Sequence, residues 1–156
     1  MIVVADTSPI NYLVLIDQID LLGNLYEQVL IPAAVHDELK RDLAPQAVRE
    51  WIRQPPNWLI IRTVTLASDQ STIELDPGER EAIQLAEEVG AEQIVIDDLK
   101  GRQEASRRGL HVIGTLGVLR EAAHLGFIDI HLVIQHLQTT TFQISPDIIA
   151  NLLREF

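Results

Sequence analysis

The 156-residue chain carries 23 Asp and Glu against 12 Lys and Arg, a net charge of −11, with 47% hydrophobic residues and a mean hydropathy of +0.12. These values indicate one packed globular domain over residues 1–156 rather than a disordered chain. The absence of cysteine excludes disulfides, zinc–thiolate sites and thiol nucleophiles. The acidity counts against a passive module that binds nucleic acid through a basic surface, though not against an enzyme that holds cations in a carboxylate cluster.

Apolar periodicity predicts alternating strands and helices. A strand over 2–5 ends at Asp6, and helices over 9–16 and 19–26 follow, broken near Asp17. A short strand over 28–31 leads into a helix that Pro32 opens and that runs to about 41. An amphipathic helix over 44–53 stops at Pro55-Pro56, and 58–64 alternates like a strand. The polar stretch 67–73 reads as a loop. Asp76-Pro77-Gly78-Glu79 then starts a strong helix that ends at Gly90. A strand over 93–96 ends in Asp97-Asp98. It is followed by a helix over 99–108, a strand over 111–113, a helix over 116–125 capped by Thr115, and helices over 129–137 and 146–154. Strands separated by helices imply parallel pairing with right-handed crossovers, so the fold class is α/β. No apolar run approaches the ~18 residues that span a bilayer, and Asp6 interrupts the first apolar run too early for a signal peptide. The chain reads as cytoplasmic, with no membrane partner.

Acids recur at particular places in this pattern. Asp6 and Asp97-Asp98 each end an apolar run (IVVAD, QIVIDD), and in a parallel sheet both runs end on the same edge, where ligands of open α/β sheets bind. Asp is also a common helix N-cap, but Thr7 or Ser8 can cap the helix at Pro9, which leaves Asp6 for another role. At ~100° per residue, the helix that starts at Glu79 has its apolar face on Ala82, Ile83, Leu85, Ala86 and Val89. Glu79 borders that face, whereas Glu81 lies farther round; both also complement the helix dipole. Glu38 flanks Val35 and Leu39 in the second half of its helix, where an acid gains nothing from the dipole. If these acids converge they repel one another unless a cation bridges them. An all-oxygen donor set favours Mg²⁺ or Mn²⁺ over zinc, and two such ions could activate a water and stabilise the leaving oxygen of a phosphodiester. Lys100, Arg102, Arg107 and Arg108 supply local positive charge, and Arg102 could meet a phosphate. For Arg107 and Arg108 a solvated helix face is the better reading. His36, His111, His124, His131 and His136 show no paired ligand spacing, and Trp51 and Trp58 suit core or partner contacts better than base stacking.

Together VVADTSPI, IPAAVHDEL, LDPGEREAIQLA, IVIDDLKGRQEA and GLHVIGTLGVL resemble the PIN-domain superfamily, and more narrowly its VapC-related members with a Gly-Glu-x-Glu-Ala-Ile helix. The similarity covers about residues 2–128. It implies a three-layer α/β/α fold with a central, mainly parallel sheet and a Mg²⁺- or Mn²⁺-dependent endoribonuclease. Carried over position by position, it implies catalytic acids at Asp6, Glu38, Glu79 and Asp98, with Glu81 and Asp97 as further candidate metal ligands. Asp98 stands in the more usual fourth position. Ser8, with Lys100 and Arg102, would contact substrate. The third acid is Glu rather than Asp, and acids are doubled at the third and fourth positions, so Glu79 or Glu81 and Asp97 or Asp98 remain open. The resemblance further implies an RNA substrate, a small antitoxin partner and a homodimer. A catalytically weak scaffold that binds a protein partner is the alternative. A phosphotransfer or dehalogenase-like enzyme with Asp6 as nucleophile is disfavoured, because phosphotransfer chemistry wants a second acid where this chain has Ser8.

Overall fold

The computed structural model describes residues 1–65 and 74–156; the loop expected over 67–73 lies outside them. Five parallel strands form one sheet in the order β3-β2-β1-β4-β5: β1 (Ile2–Ala5), β2 (Gln28–Pro32), β3 (Leu59–Arg62), β4 (Gln93–Val95) and β5 (Val112–Ile113). With helices on both faces this is the three-layer α/β/α arrangement.

The chain order explains where a site can form. From β1 it winds outward through β2 to β3, then returns to the other side of β1 as β4. The winding direction thus reverses between β1 and β4, which leaves a crevice at the carboxyl ends of these two strands. Ala5 pairs with Val95, and the Asp6 N–H donates to the Val95 carbonyl at 2.9 Å, so the two strand ends are level.

Alternating side chains divide the core between the faces. Val3, Ala5, Val29, Ile31 and Val95 face one layer, which includes α1 (Thr7–Leu15), α2 (Asp20–Leu25), α3 (Ala33–Lys40), α4 (Gln46–Arg53), α7 (Thr115–His124) and α8 (Ile130–Gln138). Val4, Leu30, Ile94 and Ile96 face α5 (Pro77–Val89) and α6 (Leu99–Arg107). A last helix, α9 (Pro146–Leu153), seats Leu152 against the first layer. Asp17, in the left-handed region at φ 58°, separates α1 from α2.

One boundary matters for the site. α1 begins at Thr7, two residues earlier than the proline suggests, because Pro9 occupies its first turn. Thr7 and Ser8 are therefore inside the helix rather than capping it. Trp51 and Trp58 pack on the core with their rings 6.1 Å apart, and a Cβ on Gly23 would come within 2.4 Å of the Trp58 ring.

Candidate functional site

Three carboxylates from distant parts of the chain converge at the crevice: Asp6 after β1, Glu38 in α3 and Asp76 just before α5. One oxygen from each lies within 4.8 Å of the others. Asp6 is 5% exposed, and although it occupies the N-cap position of α1 its side chain makes no capping bond. Its Oδ1 has no hydrogen-bond partner among the described residues. Burial raises its pKa to about 7; the Thr7 backbone N–H opposes this, while the charges of Asp76, Glu38 and Asp97 reinforce it.

Glu38 is held from two sides, accepting from the Thr7 hydroxyl and from the Gly78 N–H at 3.2 Å. Gly78 makes this approach possible, since a Cβ there would lie 2.8 Å from both Glu38 oxygens. Asp76 caps α5 by accepting from the Glu79 N–H at 2.8 Å. It appears in the sequence only as part of a helix-start signal, and spacing gives no hint that it faces Glu38. The better clue is Gly78, because a glycine inside the first turn of a helix costs about 1 kcal/mol against alanine and wants a packing reason.

Glu79 is 7% exposed, with Oε2 lacking a partner among the described residues. That oxygen lies over α6, where a Cβ on Gly101 would be 2.8 Å away. Burial raises the Glu79 pKa to about 9, reinforced by a hydrogen bond with Asp76 and by the charges of Asp76, Asp6 and Asp98. Glu81, two residues on and so on another side of α5, accepts from the Ala34 N–H at 3.1 Å and secures the start of α3.

The paired aspartates after β4 divide in a similar way. Asp97 accepts from Thr115 twice, from its N–H at 2.8 Å and its hydroxyl at 2.7 Å, and thereby ties β4 to α7. Its carboxyl is pushed up by burial and held down by Thr115 and Arg102. Asp98 is exposed and caps α6, accepting from the Lys100 N–H at 3.2 Å. Arg102 turns back toward the Ile96 carbonyl, 3.5 Å from Nη1. A Cβ on Gly114 would come within 2.5 Å of this guanidinium and 2.9 Å of Asp97.

A cleft of about 1000 Å³ joins these groups. Its lining includes Asp6, Ser8, Glu38, Asp76, Glu79, Asp97, Asp98 and Arg102, but neither Glu81 nor Lys100. None of the five histidines belongs to the three-carboxylate group. Arg107 and Arg108 pair with Glu104, and Arg108 also with Glu87, so both hold α6 in place rather than facing the cleft. The donors suit a hard divalent cation: they are all oxygens, and Asp6 Oδ1 and Glu79 Oε2 are buried without protein partners among the described residues.

The parallel sheet thus carries an acidic cleft at its switch point, with Asp6 buried, Glu38 half-buried and Asp76 exposed. A family model described as PIN domain matches residues 2–156, and the chain belongs to that family. Its members are typically nucleases that use divalent metals. A PilT N-terminus domain protein of the hyperthermophilic archaeon Sulfolobus solfataricus P2 has a similar fold. Its structure aligns with a TM-score of 0.59 at 18% identity, covering 78% of this chain and 93% of that one. No curated protein matches the chain.

Proposed function

We propose that this chain is a Mg²⁺- or Mn²⁺-dependent endoribonuclease, the toxin of a toxin–antitoxin pair. The observation that carries the enzymatic part is the cluster of Asp6, Glu38 and Asp76, with an Asp6 oxygen inside it that has no partner among the described residues while Asp6 is 5% exposed. Asp6, Glu38 and Asp76 would hold the cation, with Glu79 beside them. When bound, such a cation supplies the positive charge that acidifies an attacking water and neutralises phosphoryl oxygens.

The protein's own groups prepare that site. The Thr7 hydroxyl and the Gly78 N–H fix the Glu38 carboxylate. Asp76 is fixed by the Glu79 N–H. Burial raises the pKa of Asp6 to about 7 and that of the neighbouring Glu79 to about 9, so at neutral pH part of the negative charge at the crevice is neutralised by protons. Ser8 and Arg102 line the cleft where they can meet a phosphate. The antitoxin and the homodimer enter through the family resemblance, and the cytoplasmic location through the sequence pattern. No described helix is long and apolar enough to cross a membrane, which fits that reading.

The test is cleavage of structured RNA with Mg²⁺ or Mn²⁺ by the wild type and by Asp6→Asn and Asp76→Asn. Each substitution should lower the rate by at least ~100-fold, since even residues that only orient metal ligands are worth 10–100-fold. Equal cleavage by wild type and Asp6→Asn would overturn the proposal. A chain that binds a small co-encoded protein but, freed of it, cleaves no RNA with Mg²⁺ or Mn²⁺ would instead favour a binding scaffold.

A further inference from the structure

The cleft is larger and more apolar than a cation and a phosphate require. Beside its acid floor stands a wall built by α1, α7, α9 and the segment between α8 and α9, with Tyr12, Leu116, Phe142 and Ile148 facing the same space. Tyr12 and Phe142 meet edge to face, their centroids 4.9 Å apart and their planes at 85°. The Tyr12 hydroxyl lies 3.0 Å from that of Thr141, which ties the segment to α1. Ile148 is 53% exposed. In the same cleft the Asn11 Oδ1 is buried with no partner among the described residues.

From this juxtaposition we infer that the Tyr12–Phe142 wall is a subsite for one unpaired nucleobase of the RNA, next to the phosphodiester that is cut. The inference rests on the nuclease reading and extends it to base selection. An occupant of this cleft must present a flat apolar face close to an anionic group. A nucleotide does so, with base and phosphate separated by one sugar. Aromatic side chains bind unpaired bases through stacking that every base offers. The Asn11 oxygen adds an acceptor for an N–H on the base edge, and a polar contact of this kind is what converts a stacking platform into a selective pocket. A paired base cannot enter, because its faces and hydrogen-bonding edge are already occupied in the duplex.

Two measurements on wild type, Phe142→Ala and Phe142→Leu test this. The first is the kinetics of RNA cleavage with Mn²⁺, compared across substrates that differ in the base beside the cut and one that is abasic there. Phe142→Ala should raise KM by roughly 5- to 150-fold, the range for losing one stacked base, with kcat falling less and base preference flattened. The second is fluorescence of a short single-stranded RNA containing 2-aminopurine, titrated into each protein with and without Mn²⁺. The wild type should quench it through stacking, and the variants should not. Phe142→Leu keeps an apolar side chain in place should the alanine variant fail to fold. Cleavage that depends on Asp6 but has unchanged KM and base preference in both variants overturns the subsite and leaves the nuclease standing. No cleavage by the wild type, with 2-aminopurine quenching lost in the variants, overturns the nuclease and keeps the base pocket. A change in oligomeric state with unchanged quenching assigns the wall to a second copy of the chain and overturns the inference.

Discussion

At the scale of single residues, three glycines decide how the acids can be arranged. Gly78 faces Glu38, Gly101 faces Glu79, and Gly114 faces Asp97 and Arg102; in each case a Cβ would come within 3.0 Å of the charged group. Helix propensity alone would favour alanine at position 78 by about 1 kcal/mol. Gly78→Ala should nevertheless impair the protein, because Glu38 must move and release its bonds from Thr7 and Gly78. We expect a loss of cleavage of about tenfold or more, the scale on which disturbing the support of a ligand acts, with little change in urea unfolding, because the group that must yield is the free end of a flexible side chain. Wild-type cleavage would show that Glu38 needs no such support. The same glycines mark the limit of what sequence can reveal. Asp6, Glu38 and Glu79 stand out by position, at a strand end or on the border of an apolar face. Asp76 reads only as a cap, since its pairing with Glu38 comes from the packing of α3 against α5 and leaves no local pattern.

At the scale of elements, all five strands and nine helices expected from periodicity have counterparts among the described residues, with ends shifted by one or two positions. Strongly periodic stretches such as the helix from Pro77 are legible because their apolar face must be buried. What one strand or helix does for another is less legible, and the Asp97-Asp98 pair shows why. Adjacent residues point in different directions, so one acid fixes α7 and its neighbour caps α6. Asp97 uses both carboxylate oxygens on Thr115, a residue with no exposed surface. Asp97→Ala should therefore leave two buried Thr115 groups unsatisfied and cost about 1–3 kcal/mol for each, read from chemical denaturation. Calorimetric Mn²⁺ affinity should fall less than in Asp6→Asn. If Asp97→Ala instead matched Asp6→Asn in lost affinity with intact stability, Asp97 would belong among the ligands rather than to the link between β4 and α7.

At the scale of the whole molecule, the buried acids set how stability depends on pH. In the metal-free protein the Asp6 pKa rises from 3.8 to about 7 and that of Glu79 from 4.5 to about 9. Between these limits the native state binds more protons than the unfolded chain, so stability falls as pH rises. The contribution of the two neutral carboxyls is complete below the ordinary carboxylate range and is lost as pH passes about 7 and then about 9. Glu155 behaves oppositely: its pairing with Arg120 and His124 lowers its pKa to about 2, so its effect falls in acid, outside this window. Mutual repulsion in a chain of net charge −11 also weakens the fold as pH rises. Salt separates the two effects, because it screens exposed charges and leaves burial untouched. The metal-free Tm should thus decline from pH 5 to pH 8 even in high salt, and Mn²⁺ should flatten the decline by favouring the ionised cluster. Asp6→Asn should be flatter without metal, more stable than the wild type at pH 8 by about 2–4 °C for each kcal/mol recovered, and less responsive to Mn²⁺. A metal-free Tm that climbs between pH 5 and pH 8 would mean that the crevice does not hold its carboxyls protonated.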